Sequence, residues 1–194
     1  MLRLARLALC AVGLGLAALA PTPAAAVYLE LTPQQVEEAV ETGRASIMQE
    51  EFGQEWVVRL PGGEEVQVTT PFARVALAAR LAAFKGEPLA EKEIQTHRER
   101  GKGRIQFLVA VHGPKVDFAR WYEAVLRLGQ REVKTTFSQN ERTALRLEDG
   151  RYLARNIYVF PTEGLPPRGA VTLLVRTREG KEVLRVPIDL GAMR

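Results

Sequence analysis

Residues 169–194 read GAVTLLVRTREGKEVLRVPIDLGAMR, and apolar side chains alternate with polar ones through most of this stretch. Such alternation predicts two antiparallel strands with one face buried. A two-residue loop at Glu179 and Gly180 aligns the apolar positions, and a four-residue loop keeps the same register, whereas a three-residue loop sets apolar against polar residues. We therefore expect a loop of two or four residues. The predicted cross-strand pairs are Val175–Leu184, Leu173–Val186 and Val171–Ile188.

Short β-strands also account for most of the chain from Ile105 onward. Turn-forming residues separate the apolar runs, which is typical of an antiparallel sandwich. We therefore predict an immunoglobulin-like antiparallel β-sandwich domain over residues 101–194. The other runs that predict strands are IQFLVAVHG (105–113), REVKTTF (131–137) and RYLARNIYVF (151–160).

One segment of this region, DFARWYEAVLRLG at 117–129, fits two structures. Its apolar side chains match the spacing of a helix and the alternation of a strand. We favour the strand, because the predicted sandwich otherwise has too few β-strands.

Residues 27–100 are predicted to be mainly helical, with one β-hairpin. Thr32 and Gln35 have the spacing of a capping box, which places a helix start directly after Thr32. Apolar residues then fall on or near one face, so we predict a helix over residues 33–49. Gly43 is expected to be the weak point of this helix.

The rest of this region contains the hairpin and two more helices. The stretch EWVVRLPGGEEVQVTT (55–70) alternates on both sides of a Pro-Gly-Gly turn. A second Thr-Pro start at Thr70 opens an alanine-rich helix that ends at Gly86, and its apolar residues indicate that it packs between other elements. A short charged helix follows Pro88 and ends near Gly101. The predicted fold class is therefore α+β, with N-terminal helices and a hairpin before the C-terminal sandwich.

The chain begins with the features of a secretory signal peptide, predicted over residues 1–26. Two arginines precede an uncharged run, Leu7–Ala20, and small residues lead up to a cleavage site after Ala26. The run has 14 residues, short of the roughly 20 that cross a bilayer, so an uncleaved anchor is the weaker alternative. Cys10 does not indicate a lipoprotein. A lipoprotein leader would be cleaved just before this cysteine, and most of the apolar run would then lie after the cleavage site. We expect an exported protein, in the periplasm or secreted.

The mature chain, residues 27–194, contains no cysteine and is close to neutral. The leader carries two of the 27 basic residues and none of the 23 acidic ones, which leaves a net charge of +2. An exported chain without disulfides depends on core packing for its stability. A net charge of +2 is too small to indicate a nucleic-acid-binding surface. No internal segment is long and apolar enough to cross a membrane. We therefore predict no nucleic-acid partner and no transmembrane segment in the mature chain.

Motifs for catalysis, metal binding and cofactor binding are missing from the sequence. Ser46 and Ser138 lack the context of a nucleophile elbow. His97 and His112 are fifteen residues apart and do not have the spacing of a zinc motif. Adjacent glutamates point in different directions on a helix or strand, so none of these pairs faces a common point by itself. We predict no catalytic, metal-binding or cofactor-binding residue.

Two groups of residues are candidate binding surfaces. The run HRERGKGR (97–104) contains four cations that either bind a phosphorylated lipid head group or an acidic polymer, or form a solvated linker. Four aromatic residues form either a stacking surface for sugar rings or part of the core. The cations are Arg98, Arg100, Lys102 and Arg104, and the aromatic residues are Trp121, Tyr122, Tyr152 and Tyr158.

Export, a packed β-rich region and the missing catalytic motifs favour a non-catalytic protein of the bacterial-type cell envelope or secretome. On this hypothesis the sandwich is an interaction or structural module for an envelope or extracellular partner, either a protein or a polymer. The alternative hypothesis is a hydrolase of an envelope polymer. Its acid or base would be a glutamate in a cleft between the helical region and the sandwich.

Overall fold

The computed structural model describes residues 26–194, so the predicted signal peptide lies outside the described residues apart from Ala26. Within residues 26–194 the chain forms three α-helices and two antiparallel sheets. The helices are α1 (Pro33–Ala45), α2 (Pro71–Phe84) and α3 (Glu91–Gly101). The strands are β1 (Val57–Arg59), β2 (Glu65–Thr69), β3 (Arg104–Gly113), β4 (Glu123–Leu128), β5 (Arg131–Lys134), β6 (Phe137–Gln139), β7 (Leu145–Arg146), β8 (Tyr152–Pro161), β9 (Ala170–Arg176) and β10 (Glu182–Asp189).

These elements make an α+β fold whose C-terminal region is β-rich. The predicted mixture of N-terminal helices, a hairpin and later strands is confirmed at this level. The order of the strands does not establish a finer class, so the immunoglobulin-like sandwich stays a prediction.

Helix α1 begins as predicted and ends earlier. The hydroxyl of Thr32 accepts a hydrogen bond from the Gln35 amide at 3.3 Å, and the Gln35 side chain accepts one from the Thr32 amide at 2.9 Å. At the other end, Ser46 donates both its amide and its hydroxyl to the carbonyl of Gly43. This tightens the last turn, so the helix ends at Ala45 and the predicted range of 33–49 is wrong at its C-terminal end.

Helices α2 and α3 lie where the sequence predicts them. The Thr70 hydroxyl accepts from the Ala73 amide at 3.0 Å and caps α2. Beyond the helix, Gly86 has a φ of +75° and donates to Ala83, while Glu87 donates to Ala82. These two bonds form the Schellman motif that a glycine at this position permits.

The first sheet joins the N-terminal hairpin to the C-terminal strands. Its order is β1-β2-β3-β8-β6, and β7 also pairs with β8. The hairpin is confirmed by the pair Val58–Val66. Strand β2 in turn pairs with β3, where Val68 lies opposite Phe107. Residues on both sides of position 101 therefore share one sheet.

The second sheet has the order β10-β9-β4-β5. Strand β4 occupies the second half of the segment 117–129, and its Ala124 and Leu126 are buried. The strand that we favour for this segment is therefore confirmed for residues 123–128. Residues 117–121 form turns instead, and they contain neither helix nor strand.

The last hairpin has the predicted register and a different loop. Val175 pairs with Leu184, Leu173 with Val186 and Val171 with Ile188. The Thr177 amide donates to Lys181 and the Gly180 amide to Thr177, which makes a three-residue loop with Gly180 at a φ of +83°. The expectation of two or four loop residues is therefore wrong. A bulge between Glu182 and Leu184 restores the register and leaves Val183 exposed.

Both sheets and the helices contribute to one hydrophobic core. In the first sheet, the core side of β3 carries Ile105, Phe107 and Val109, which are fully buried. The alternate residues of the same strands point to the opposite side, which we call the outer face of the first sheet. Helix α2 begins just after β2 ends and α3 ends just before β3 begins, so the start of α2 and the end of α3 lie at the end of this sheet at which β3 begins.

Candidate functional site

Four basic side chains come together where α2, α3 and β3 meet. Arg74 belongs to α2, His97 and Arg100 belong to α3, and Arg104 is the first residue of β3. We call these four residues the basic cluster. The run 97–104 predicted from the sequence supplies three of them, while Arg74 joins from a distant part of the chain.

A close approach of two helix ends builds this cluster. A Cβ atom on Gly101, the last residue of α3, would lie 3.2 Å from the Cα of Pro71, the first residue of α2. It would also lie 3.6 Å from the Cδ of Arg74. A residue without a side chain at position 101 therefore lets the end of α3 pack on the start of α2. Gly103, with a φ of +64°, then turns the chain into β3.

Arg74 is the central residue of the basic cluster, and its hydrogen-bond partner is neutral. Its side chain is half-buried, and Nη2 donates to Oε1 of Gln106 at 3.3 Å. Within residues 26–194, no carboxylate forms an ion pair with Arg74, Arg100 or Arg104. Arginines elsewhere do form ion pairs, namely Arg59, Arg127, Arg151, Arg176, Arg185 and Arg194.

The charges of the basic cluster act on one another. Burial lowers the pKa of Arg74, and the positive charges of Arg100 and Arg104 lower it further. Burial also lowers the pKa of His97. The positive charges of Arg100 and Arg74 lower this pKa further, while the negative charge of Glu93 raises it. The positive charges of Arg74, Arg100 and Arg104 are held together without an ion pair among residues 26–194, which favours the binding of an anion that relieves their repulsion. A guanidinium group offers two parallel donors to an oxyanion.

A cavity of about 210 Å³ lies beside the basic cluster. It brings two more cations of the predicted run, Arg98 and Lys102, to the same end of α3. Glu30 and Glu99 also line the cavity, so it offers acceptors as well as donors. This end of the molecule therefore contains all four cations that the sequence singles out, together with Arg74.

The serines and His112 do not form a joint site. Ser46 is buried and donates to Gly43 at 2.7 Å, while Ser138 is exposed and donates to Thr135 at 3.0 Å. His112 lies on β3 next to the hairpin turn, and a Cβ on Gly63 would be 3.5 Å from its Cε1 atom. Its Nδ1 atom is buried and has no hydrogen-bond partner in the described part of the chain.

The four aromatic residues are not a single surface. Tyr158 is fully buried, and its burial raises the pKa of the phenol. Tyr122 is half-buried and packs edge to face on Phe118 at 5.9 Å. Trp121 is 60% exposed, with the guanidinium groups of Arg120 and Arg178 at 5.1 and 5.8 Å from its ring. The predicted sugar-stacking surface therefore lacks at least the ring of Tyr158.

A buried polar network around Tyr158 is not evident from the sequence. The Tyr158 hydroxyl donates to Oδ1 of Asn140 at 2.9 Å, and Nδ2 of Asn140 donates to the Tyr122 carbonyl at 2.7 Å. Oδ1 of the buried Asn156 accepts from the Glu141 amide at 3.0 Å. These two asparagines, the only ones in the chain, hold the loop after β6 against β8.

The carboxyl groups whose pKa is shifted in this structure all have a lowered pKa, so they ionise at a lower pH than usual. Hydrogen bonds from Arg176 and Arg127 lower the pKa of Glu132, and a hydrogen bond from Arg185 lowers that of Glu182. A carboxyl group that acts as a general acid near neutral pH needs a raised pKa.

Among residues 26–194, no group of three or more His, Cys, Asp or Glu side chains is arranged to hold a metal ion. No helix formed by these residues has the length and apolar character to span a bilayer.

Comparisons with known proteins give one distant structural match. No protein-family model matches the chain, and no curated protein matches it significantly. Among solved structures, the chain is similar to the crystal structure of a novel protein of unknown function from Burkholderia pseudomallei K96243. The sequences are 9% identical, the TM-score is 0.42, and the match covers 84% of this chain and 92% of that one. So distant a likeness carries no argument about function.

Proposed function

We propose that this chain is an exported, non-catalytic protein of the cell envelope or secretome that binds an oxyanion-bearing partner through the basic cluster. The partner carries phosphate or similar groups. The two sheets, which we take to be an immunoglobulin-like sandwich, are the rigid module that positions the cluster. Export is supported by the leader-like residues 1–26 of the sequence.

One observation carries the binding part of this proposal. Arg74 is half-buried next to Arg100 and Arg104, and it donates to the neutral side chain of Gln106. Burying a cation without a counter-charge lowers the stability of the folded state. An anion that binds next to Arg74 would supply this counter-charge and stabilise the fold.

The hydrolase hypothesis gains no comparable support from the described residues. Glu30 and Glu99 share their cavity with Arg98 and Lys102. Neither of the two histidines belongs to a set of acidic and His side chains that could hold a metal, as far as residues 26–194 are concerned. The non-catalytic binding role is therefore the better supported of the two hypotheses.

Titration with inorganic phosphate tests the binding proposal. The protein is purified after expression of the full 194-residue chain, and binding is followed by amide chemical shifts. We expect the largest shifts in residues 97–106, and we expect Arg74→Gln and Arg100→Gln each to weaken binding by about tenfold, as for the loss of one charge-assisted hydrogen bond. Lys181→Gln, on the loop between β9 and β10, removes the same charge and should leave the affinity unchanged.

Equal affinities of Arg100→Gln and the wild type would contradict this proposal, because Arg100 is exposed and its substitution does not threaten the fold. The mass of the purified protein tests export. Cleavage after Ala26 leaves a chain that begins at Val27, whereas an intact leader contradicts the predicted processing.

A further inference from the structure

The outer face of the first sheet carries an apolar area around β8. Strand register places three apolar cross-strand pairs on this face, and none of their six side chains belongs to the hydrophobic core. Phe137 and Leu145 are 52% and 56% exposed, and the other four side chains are half-buried. The pairs are Leu108–Ile157, Phe137–Val159 and Leu145–Leu153.

A sheet with one wet face normally carries polar residues on that face. Strand β8 instead has apolar residues on both sides, since Tyr158 and Phe160 face the core while Ile157 and Val159 face outward. Apolar residues on both faces are typical of a sheet that is covered on both sides. Exposed apolar patches of this kind mark interaction surfaces.

The charged groups of this face are mainly positive. Arg104 and Arg155 point to it from β3 and β8, and both are exposed and form no ion pair with another residue of the described range 26–194. The carboxylate of Glu141 accepts from the backbone amide of Arg155 at 2.6 Å. Arg59 and Glu65 form an ion pair at 3.2 Å and therefore neutralise each other.

The apolar face and the basic cluster are continuous. Gln106 follows Arg104 on the outward side of β3, and its side chain accepts the hydrogen bond from Arg74. Gln106 also lies opposite Val159, which is paired with Phe137. The cations therefore border an apolar area on one side of the molecule.

We propose that the outer face of the first sheet, together with the basic cluster, docks on an anionic lipid surface. This inference rests on the proposed function and names phosphate head groups of lipids as its oxyanions. Phe137 and Leu145 enter the boundary between head groups and acyl chains, while Arg74, Arg104 and Arg155 contact the phosphates. A second copy of the chain is a poorer occupant, because face-to-face packing would bring two positive faces together. An extended peptide would instead need pockets for its alternate side chains.

Sedimentation with lipid vesicles tests this inference on the same full-length preparation. The two compositions are equal parts phosphatidylglycerol and phosphatidylcholine, and phosphatidylcholine alone. We expect binding to the anionic vesicles and a loss of at least fivefold in Phe137→Ser and in Leu145→Ser, with no change in the phosphate titration. Val183→Ser is the matched control, since Val183 is an exposed apolar residue of the other sheet.

The charge contribution has its own pair of variants. Arg155→Gln should weaken binding to anionic vesicles about fivefold, which corresponds to one basic residue at an anionic surface. Lys181→Gln should bind like the wild type. Phe137→Trp, made in a Trp121→Phe background, should be quenched by brominated acyl chains if the side chain enters the bilayer. Trp56, the other tryptophan, is buried and should not be quenched.

Each remaining result decides between the two proposals. Phosphate binding without vesicle binding would overturn the lipid inference and leave the proposed function standing. Failure to bind phosphate at residues 97–106 would contradict the proposed function itself. Vesicle binding that is unchanged in Phe137→Ser and Leu145→Ser would overturn the docking face. Binding of polyglutamate in place of vesicles, with loss in the same variants, would assign the face to an acidic protein.

Discussion

Gly43 sets the distance at which α1 crosses α2. Its position is buried, and a Cβ atom there would lie 2.1 Å from the carbonyl oxygen of Ala76 and 2.9 Å from the Cβ of Ala79. In the sequence this glycine reads as the weak point of the helix, because glycine has a low intrinsic helix propensity. In the structure it makes a helix contact that every larger residue would push apart. Its contribution to packing therefore outweighs its cost to the isolated helix.

Gly43→Ala tests this interpretation. The added methyl group has to displace the backbone of α2, so we expect the free energy of unfolding to fall by about 1–3 kcal/mol in urea denaturation. Glu41→Ala, at an exposed position of the same helix, should change it by less than about 0.5 kcal/mol. If Gly43→Ala were more stable than the wild type, helix propensity would be the dominant effect and the close crossing would be refuted.

At the scale of elements, a carboxylate joins three neighbouring strands of the second sheet. Glu132 of β5 accepts from Arg127 of β4 at 3.2 Å and from Arg176 of β9 at 2.7 Å. These hydrogen bonds, with Arg176 the larger contributor, lower the pKa of Glu132. The group is exposed, so solvent screens the interaction and its effect is best measured by its pH dependence.

We expect the stabilisation by Glu132 to disappear in acid. A lowered pKa in the folded state means that the unfolded chain binds the proton more tightly, so the carboxylate stabilises the fold at neutral pH. That contribution declines once the pH falls below about 4.3, the ordinary value for a glutamate, and is gone below the folded-state pKa. The urea midpoint of Glu132→Gln should therefore lie below that of the wild type at pH 7 and approach it at low pH.

Glu148→Gln is the control for this series, because Glu148 is exposed and has no ion pair among the described residues. Its midpoint should follow that of the wild type at every pH. A constant difference between Glu132→Gln and the wild type from neutral pH into acid would show that the charge of Glu132 is not what stabilises the strands.

At the scale of the molecule, the helical and β-rich regions are joined by the core and by hydrogen bonds. The indole nitrogen of Trp56 donates to the Arg194 carbonyl at 3.1 Å, and the Thr70 hydroxyl donates to the same oxygen at 2.5 Å. The amide of Val27 donates to the Pro167 carbonyl at 2.9 Å. These contacts add to the pairing of β2 with β3, so strand and helix elements from both regions depend on one another.

This arrangement predicts a single unfolding transition. In Trp121→Phe the buried Trp56 is the only remaining tryptophan, and its fluorescence reports on the boundary between the two regions. We expect its urea transition to coincide with the one seen by far-ultraviolet circular dichroism, in Trp121→Phe as in the wild type. Two separate transitions would instead indicate that residues 27–100 and 101–194 unfold as independent domains.

Local features of this fold were predictable because the residues that make them are close in sequence. Thr32 and Gln35 are three residues apart, and their side chains bond to each other's backbone whatever the rest of the chain does. The register of the last hairpin follows from the alternation of its apolar residues, although the loop reaches it through a bulge that the pattern does not reveal. For the candidate site, the run 97–104 was visible as a local concentration of charge.

The sequence by itself thus determined the helix starts, the strand alternation and the position of the basic run, because hydrogen bonds and burial over a few residues decide them. Only the tertiary structure decided that Arg74 joins this run. The one indication in the sequence was weak, namely that Arg74 is a charged residue in a mostly apolar helix. It also decided that Gly43 is a packing residue and that β2 extends the sheet of β3. These contacts link residues far apart in the chain, and their free energy depends on which surfaces are buried together once the whole chain has folded.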